Sequence, residues 1–104
     1  MSVAYPVFRA ALDRGDLPRV LTLARQMPVI RLSDALEVVL LMRTGDESRF
    51  DRACVRWLGR FALEVPDVSL EELQAAAAAL DGLPDRPDEA MAQLQRICVE
   101  RGVA

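Results

Sequence analysis

The segment between Gly45 and Pro66 constrains the fold more than any other part of the chain. Its apolar residues recur at the three- and four-residue spacing of one helix face: Phe50, Ala53, Cys54, Trp57, Leu58 and Phe61. Asp46 is a suitable N-cap, so the sequence predicts one continuous helix from Asp46 to about Leu63. This helix holds the only tryptophan and two of the three phenylalanines, and we therefore expect its apolar side to be buried.

Local start and stop signals predict five further helices. Four predicted helices end at a glycine: Gly15, Gly45, Gly82 and Gly102. At Gly15 we expect the left-handed conformation that commonly ends a helix. The second helix ends at or just before Met27, because Pro28 follows. Proline suits the first turn of a helix, and two helices begin in this way: at Pro6 and at Pro87. The predicted N-caps are Asp16, Ser33 and Ser69. Ser69 and Glu72 also form a capping box.

The third segment admits two interpretations. Residues 38–42 form an apolar run that could be a buried strand if read alone. Ser33 and Asp34 before it and Gly45 after it favour a helix from Asp34 to Thr44, which would be apolar all round and therefore buried. The chain of 104 residues is thus predicted to be all-α: one domain, residues 1–104, a compact bundle of about six short helices in antiparallel hairpins.

The residue types that are missing argue against catalysis. Histidine is absent and all thirteen basic residues are arginine, so the commonest general base and metal ligand is lacking. No phosphate-binding glycine loop, zinc site, nucleophile elbow or dinucleotide fingerprint is present. Adjacent acids such as Glu71 and Glu72 point in different directions on a helix. We therefore predict no enzyme, no catalytic residue, no metal, no cofactor and no small-molecule ligand.

Cys54 and Cys98 lie 44 residues apart, which is neither a CxxC pair nor a disulfide framework. We expect both to be reduced core residues, because free cysteine behaves as a small apolar side chain. No apolar stretch approaches the roughly 18 residues of a membrane span, and the N-terminus lacks the apolar core of a signal peptide. The sequence therefore predicts a cytoplasmic protein without a membrane partner.

The most distinctive polar feature is a row of four arginines on the predicted fourth helix. Spacings of three, four and four residues place them on one side of that helix. This arginine row comprises Arg49, Arg52, Arg56 and Arg60. Residues 1–60 contain ten arginines and seven acids, whereas residues 61–104 contain three arginines and nine acids. The row is therefore a concentrated cationic feature in a chain of net charge −3, and it is our candidate partner contact.

Three interpretations of the arginine row remain open. The arginines could pair with acids of the C-terminal half such as Glu64, Glu71 or Glu72, dock an acidic protein, or contact nucleic-acid phosphates. The sequence pI of about 4.9 counts against nucleic acid. We predict a protein–protein interaction or adaptor module, with a nucleic-acid-associated regulator as the alternative. A homodimer through the alanine face of the fifth helix is a further alternative.

Three sequence segments carry a resemblance to a known group. They are RLSDALEVVLLM (31–42), RFDRACVRWLGRF (49–61) and PDVSLEELQAAAAALDGLP (66–84). Together they make the chain resemble small uncharacterised all-helical proteins of high-GC actinobacteria. The resemblance implies a bacterial source and a helical fold, and it implies no activity, cofactor or catalytic residue.

Overall fold

The computed structural model describes residues 4–45 and 47–104, and six α-helices run through this part of the chain. Their bounds are Ala4–Arg14 (α1), Leu17–Gln26 (α2), Leu32–Gly45 (α3), Glu47–Glu64 (α4), Leu70–Asp81 (α5) and Pro87–Glu100 (α6). The described residues contain no β-strand, and the apolar run at 38–42 lies inside α3. The prediction of an all-α fold is therefore confirmed.

The chain divides into two compact units, the first ending at Ile30 and the second beginning at Arg31. In the first unit, α1 packs on α2. Gly15 connects these helices with a φ of +71°, and the side chain of Asp16 accepts a 3.3 Å hydrogen bond from the backbone of Arg19, as its predicted N-cap role requires. The expectation of a single domain over residues 1–104 stays a prediction.

The four helices of the second unit pack in a closed ring. α3 contacts α4, α4 contacts α5, α5 contacts α6, and α6 contacts α3. A side-chain bond supports the α3–α6 contact, because Gln95 Nε2 donates to the backbone carbonyl of Ser33 at 3.0 Å. The ring gives α4 two helical neighbours, so part of its circumference stays open to solvent.

The start of α3 differs from the prediction. The helix begins at Leu32, and the backbone N–H of Ala35 already donates to the carbonyl of Arg31 at 2.9 Å. Ser33 therefore lies in the first turn, and its prediction as an N-cap is wrong. Leu32, which is 0% exposed, is instead the first residue of the helix. The prediction that α3 is apolar all round agrees with the structure, because no residue from Leu32 to Arg43 is exposed.

α4 is one continuous helix of eighteen residues, as the sequence predicts. The predicted N-cap, Asp46, lies outside the described residues. Phe61 is 0% exposed, Trp57 2% and Phe50 8%. The Trp57 and Phe61 rings stack with centroids 5.5 Å apart, and Trp57 Nε1 donates to the carbonyl of Leu32 at 2.9 Å. This bond ties the middle of α4 to the start of α3 and satisfies the one polar atom of the indole.

Polar contacts fix the start of α5 and the C-terminal end of α6. Ser69 Oγ accepts from the backbone of Glu72 at 3.0 Å, and the Glu72 carboxylate accepts from the backbone of Ser69 at 3.1 Å, so the capping box is confirmed. Arg101 Nε lies 3.1 Å from Glu72 Oε2, and Arg101 Nη2 donates to the carbonyl of Pro66. Arg101 therefore fastens the C-terminal end of α6 to the α4–α5 connection.

Candidate functional site

The structure divides the arginine row into two groups. Arg60 is half-buried, and its Nε lies 2.8 Å from Glu64 Oε2, four residues further along the helix. Arg49 also takes part in an interaction within the chain. Pairing with acids of the same molecule, one of our three interpretations, therefore holds for Arg60.

Arg52 and Arg56 form the other group. Both are exposed, and neither makes an ion pair or a side-chain hydrogen bond with any residue that the structure describes. Helix geometry places them next to each other, because residues four apart lie on one face, one turn from each other. Two guanidinium groups with ten N–H donors between them thus face solvent from the centre of α4.

Two apolar side chains share this part of the helix. Val55 is 72% exposed and Leu63 is 88% exposed. Between them lies Gly59, where an added Cβ would meet no atom within 4 Å. We define the α4 face by the residues that share this exposed side: Arg52, Val55, Arg56, Gly59 and Leu63. Their spacings of three, one, three and four residues keep them on a single side of the helix.

The α4 face combines two chemical characters that interfaces use together. Leucine and valine provide apolar area whose burial is worth roughly 25 cal/mol per Å². Arginine offers planar donors for carboxylates and is enriched at protein interfaces. Gly59 removes side-chain bulk between them, so a partner could approach the helix backbone closely. Such a face can bind an anionic, partly apolar surface by contact alone, without any reacting group.

Sequence reasoning identified the arginines of this face but missed its apolar members. The predicted apolar stripe ran through Phe50, Trp57 and Phe61, and Val55 and Leu63 fall outside it. That mismatch was the available signal, because an apolar residue off the buried stripe of an amphipathic helix is left to solvent. The structure supplies the confirmation through their exposure.

The two cysteines occupy different environments. Both are free thiols; Cys98 is 0% exposed, as expected of a core residue, whereas Cys54 is only half-buried. Burial, followed by the charges of Asp51 and Asp81, raises the pKa of Cys54 from 9.0 to about 11. Burial, followed by the charge of Glu64, raises the pKa of Cys98 to about 11 as well. Both thiols are therefore protonated near neutral pH and are poor nucleophiles.

Three further features would point to other functions: a metal site, an acid without a structural role and a membrane-spanning helix. Within residues 4–45 and 47–104, no three histidine, cysteine or acidic side chains converge to hold a metal ion. Glu72 is engaged in the capping box and with Arg101, which gives this acid a structural role. In the same part of the chain, no helix is both long and apolar enough to cross a bilayer.

Comparison of the chain with protein-family models, with curated proteins and with solved structures finds no match. The resemblance to actinobacterial helical proteins therefore stays a prediction.

Proposed function

We propose that this protein is a non-enzymatic helical interaction module that binds an acidic protein through the α4 face. The observation that supports this proposal is the exposure of Arg52 and Arg56, without an ion pair among the described residues, beside the exposed side chains of Val55 and Leu63. A partner with carboxylates around an apolar contact would complement both characters of the face.

The charge distribution is consistent with an acidic partner. The chain as a whole carries −3; residues 61–104 hold nine acids and three arginines, whereas residues 1–60 hold ten arginines and seven acids. The excess of arginine that includes Arg52 and Arg56 is therefore local, within a chain whose net charge is negative. A broad basic surface is what most nucleic-acid-binding domains of this size present. This difference favours a protein over the alternative, a nucleic-acid-associated regulator.

The decisive experiment reverses the charge of the α4 face. Immobilised wild-type protein and the Arg52→Glu/Arg56→Glu variant are used to capture partners from a lysate of the source organism, with quantification by mass spectrometry. The matched control is Arg86→Glu/Arg96→Glu, which makes the same charge change at two exposed arginines elsewhere. We expect a defined partner to be retained by wild type and control and lost by the α4 variant. Equal capture by all three proteins would contradict the proposal.

Salt dependence separates the two classes of partner. Binding that neutralises several phosphates weakens steeply and linearly in log–log form as salt is added. A contact with a large apolar component weakens much less, because the hydrophobic contribution is not screened. If wild type binds duplex DNA with a steep salt dependence and the α4 variant does not bind it, the alternative of a nucleic-acid-associated regulator is favoured.

We also propose a cytoplasmic location, supported by the two free thiols, because reducing compartments keep cysteines unpaired. A homodimer stays an alternative use of the helical surface. Sedimentation equilibrium at micromolar concentration tests it, and a dimer that dissociates in the α4 variant would place a second copy on the α4 face.

A further inference from the structure

A groove runs between α4 and α5, on nearly the opposite side of α4 from Arg52 and Arg56. The α4 residues that line it occur at positions 50, 51, 54, 55 and 58, and at 100° per residue their mean direction lies roughly half a turn from that of the arginine row. Val55, which also belongs to the α4 face, lies at the boundary of the two surfaces. The groove has a volume of about 440 Å³. Its apolar lining includes Phe50 and Leu58 from α4 and Ala77 and Leu80 from α5.

Two carboxylates stand on the two walls of this groove. Asp51 belongs to α4 and Asp81 to α5, and both are exposed. Neither forms an ion pair with a residue that the structure describes. Cys54 lies among the lining residues, between the two helices that carry these carboxylates; burial first, and then the charges of Asp51 and Asp81, raise its pKa. An apolar channel with negative charge on both walls is therefore the electrostatic opposite of the α4 face.

A second cavity of about 600 Å³ shares Phe50, Asp51 and Pro84 with the groove. Its additional lining residues include Arg43 and Glu47, one of each sign. The lining of the neighbouring cavity therefore carries both signs of charge, whereas the charged side chains that line the groove itself are Asp51 and Asp81.

We infer that the α4–α5 groove is a docking site for a cationic amphipathic helix of a partner protein. An apolar side chain of that helix enters between Phe50 and Leu80, and arginine or lysine side chains on either side of it face Asp51 and Asp81. The volume suits such anchors, since it lies within the range of about 300–1,000 Å³ that concave binding sites occupy. Helix-in-groove recognition uses this combination of apolar anchors and flanking charge.

This site does not rest on the proposed function, and the two surfaces share only Val55. Because its charge is opposite to that of the α4 face, the two sites select different partners. A protein with two such sites has the two binding specificities that an adaptor requires.

The test uses the whole protein and three fluorescent helical peptides that share the same leucine positions. Their polar positions carry arginine, glutamine or glutamate, and binding is followed by anisotropy at physiological ionic strength. We expect the arginine peptide to bind most tightly. The Asp51→Asn/Asp81→Asn variant should weaken its binding roughly threefold to tenfold, because two partly exposed ion pairs are lost.

Two substitutions on α5 form a matched pair. Ala77 lines the groove, whereas Ala75 faces the α5–α6 side, so Ala77→Trp fills the site and Ala75→Trp leaves it open. We expect loss of peptide binding in the first variant only. The Arg52→Glu/Arg56→Glu variant should bind the peptide within twofold of wild type, so failure of this site and failure of the α4 face are distinguishable.

Alkylation of Cys54 in the wild-type protein gives a measurement that requires no variant. Cys54 is half-buried in the groove while Cys98 is fully buried, so iodoacetamide at mildly alkaline pH reports on Cys54. A saturating arginine peptide should slow this reaction. The inference is overturned if the peptide gives no protection, if the neutral or glutamate peptide binds as tightly, or if Ala77→Trp instead abolishes self-association, which would make a second copy the occupant.

Discussion

α4 and α5 are neighbours in the sequence and in the ring of helices, yet they are stabilised by different means. α4 contains a solvent-facing glycine in its interior and buries three aromatic rings. α5 buries little bulk, mainly Ala76, Ala79 and Leu80, but it has a complete capping box and a run of five alanines. Alanine has the highest helix propensity and glycine among the lowest.

The difference shows how one domain can combine tertiary and local stabilisation. α4 is helical because its side chains are buried, whereas much of the stability of α5 is already encoded in its own residues. A helix of the first kind can devote its outer side to function, since that side contributes little to folding. The exposed arginines and apolar residues of α4 fit this division.

Removal of a buried ring from α4 should have the largest effect. We expect Phe61→Ala to lower the free energy of unfolding by about 3–5 kcal/mol, because a 0% exposed ring that stacks on Trp57 is replaced by a cavity. Urea unfolding followed by circular dichroism measures the change. Leu63→Ala, at an 88% exposed position of the same helix, is the control and should change stability by less than about 0.5 kcal/mol. Equal losses in both variants would contradict tertiary stabilisation of α4.

The hydrogen bond between Trp57 and Leu32 should contribute less. We expect Trp57→Phe to cost about 1–2 kcal/mol, since it removes the Nε1 donor at 2.9 Å and some ring area while most of the packing persists. The measurement is again urea unfolding. Hydrogen exchange at the start of α3 should accelerate in this variant, because the bond is the tie between the two helices there. Unchanged exchange in α3 would show that packing alone holds this junction.

The capping box of α5 should contribute about 1 kcal/mol. Ser69→Ala removes the acceptor for the backbone N–H of Glu72, and we expect a loss in the range of about 0.5–2 kcal/mol. Glu72→Gln is the informative partner variant. Glutamine can still complete a capping box, but the ion pair with Arg101 is lost. We therefore expect this variant to lower the free energy of unfolding by about 0–1 kcal/mol. If Glu72→Gln lowers the free energy of unfolding more than Ser69→Ala does, the ion pair contributes more to stability than the cap.

Substitution of the exposed glycine of α4 should have the smallest effect, and it should be stabilising. We expect Gly59→Ala to raise the free energy of unfolding by about 0.5–1 kcal/mol, because the new Cβ meets no atom within 4 Å and alanine favours the helix. At Gly102 an added Cβ also meets no atom within 4 Å, but this residue has a φ of +72°. Gly102→Ala should therefore lower the free energy of unfolding by about 1 kcal/mol. A loss of stability in Gly59→Ala would mean that this glycine has a structural role.

Most of the fold was predictable because its signals are short-range. Gly15, Pro28 and the Ser69–Glu72 pair act on backbone geometry within one helical turn, and the structure places helix ends at all of them. Ser33 shows where this logic fails. Its side chain could have capped a helix that begins at Asp34, but α3 begins two residues earlier, at the buried Leu32.

The candidate surfaces were predictable only in part. Periodicity placed Arg52 and Arg56 on one side of a helix, but it gave no means to separate them from Arg60, which pairs with Glu64. The groove was not predicted at all. It requires Asp51 and Asp81, thirty positions apart, to face each other across two helices, and that register depends on how α4 packs on α5.

The sequence by itself determined six helices, their approximate ends and the apolar side of α4, because periodicity, caps and backbone sterics act over a few residues. Tertiary structure alone decided which arginines stay without an ion pair among the described residues and which carboxylates share a groove. Those outcomes depend on distances between side chains far apart in the chain, and such distances are set only when the helices pack and exclude water.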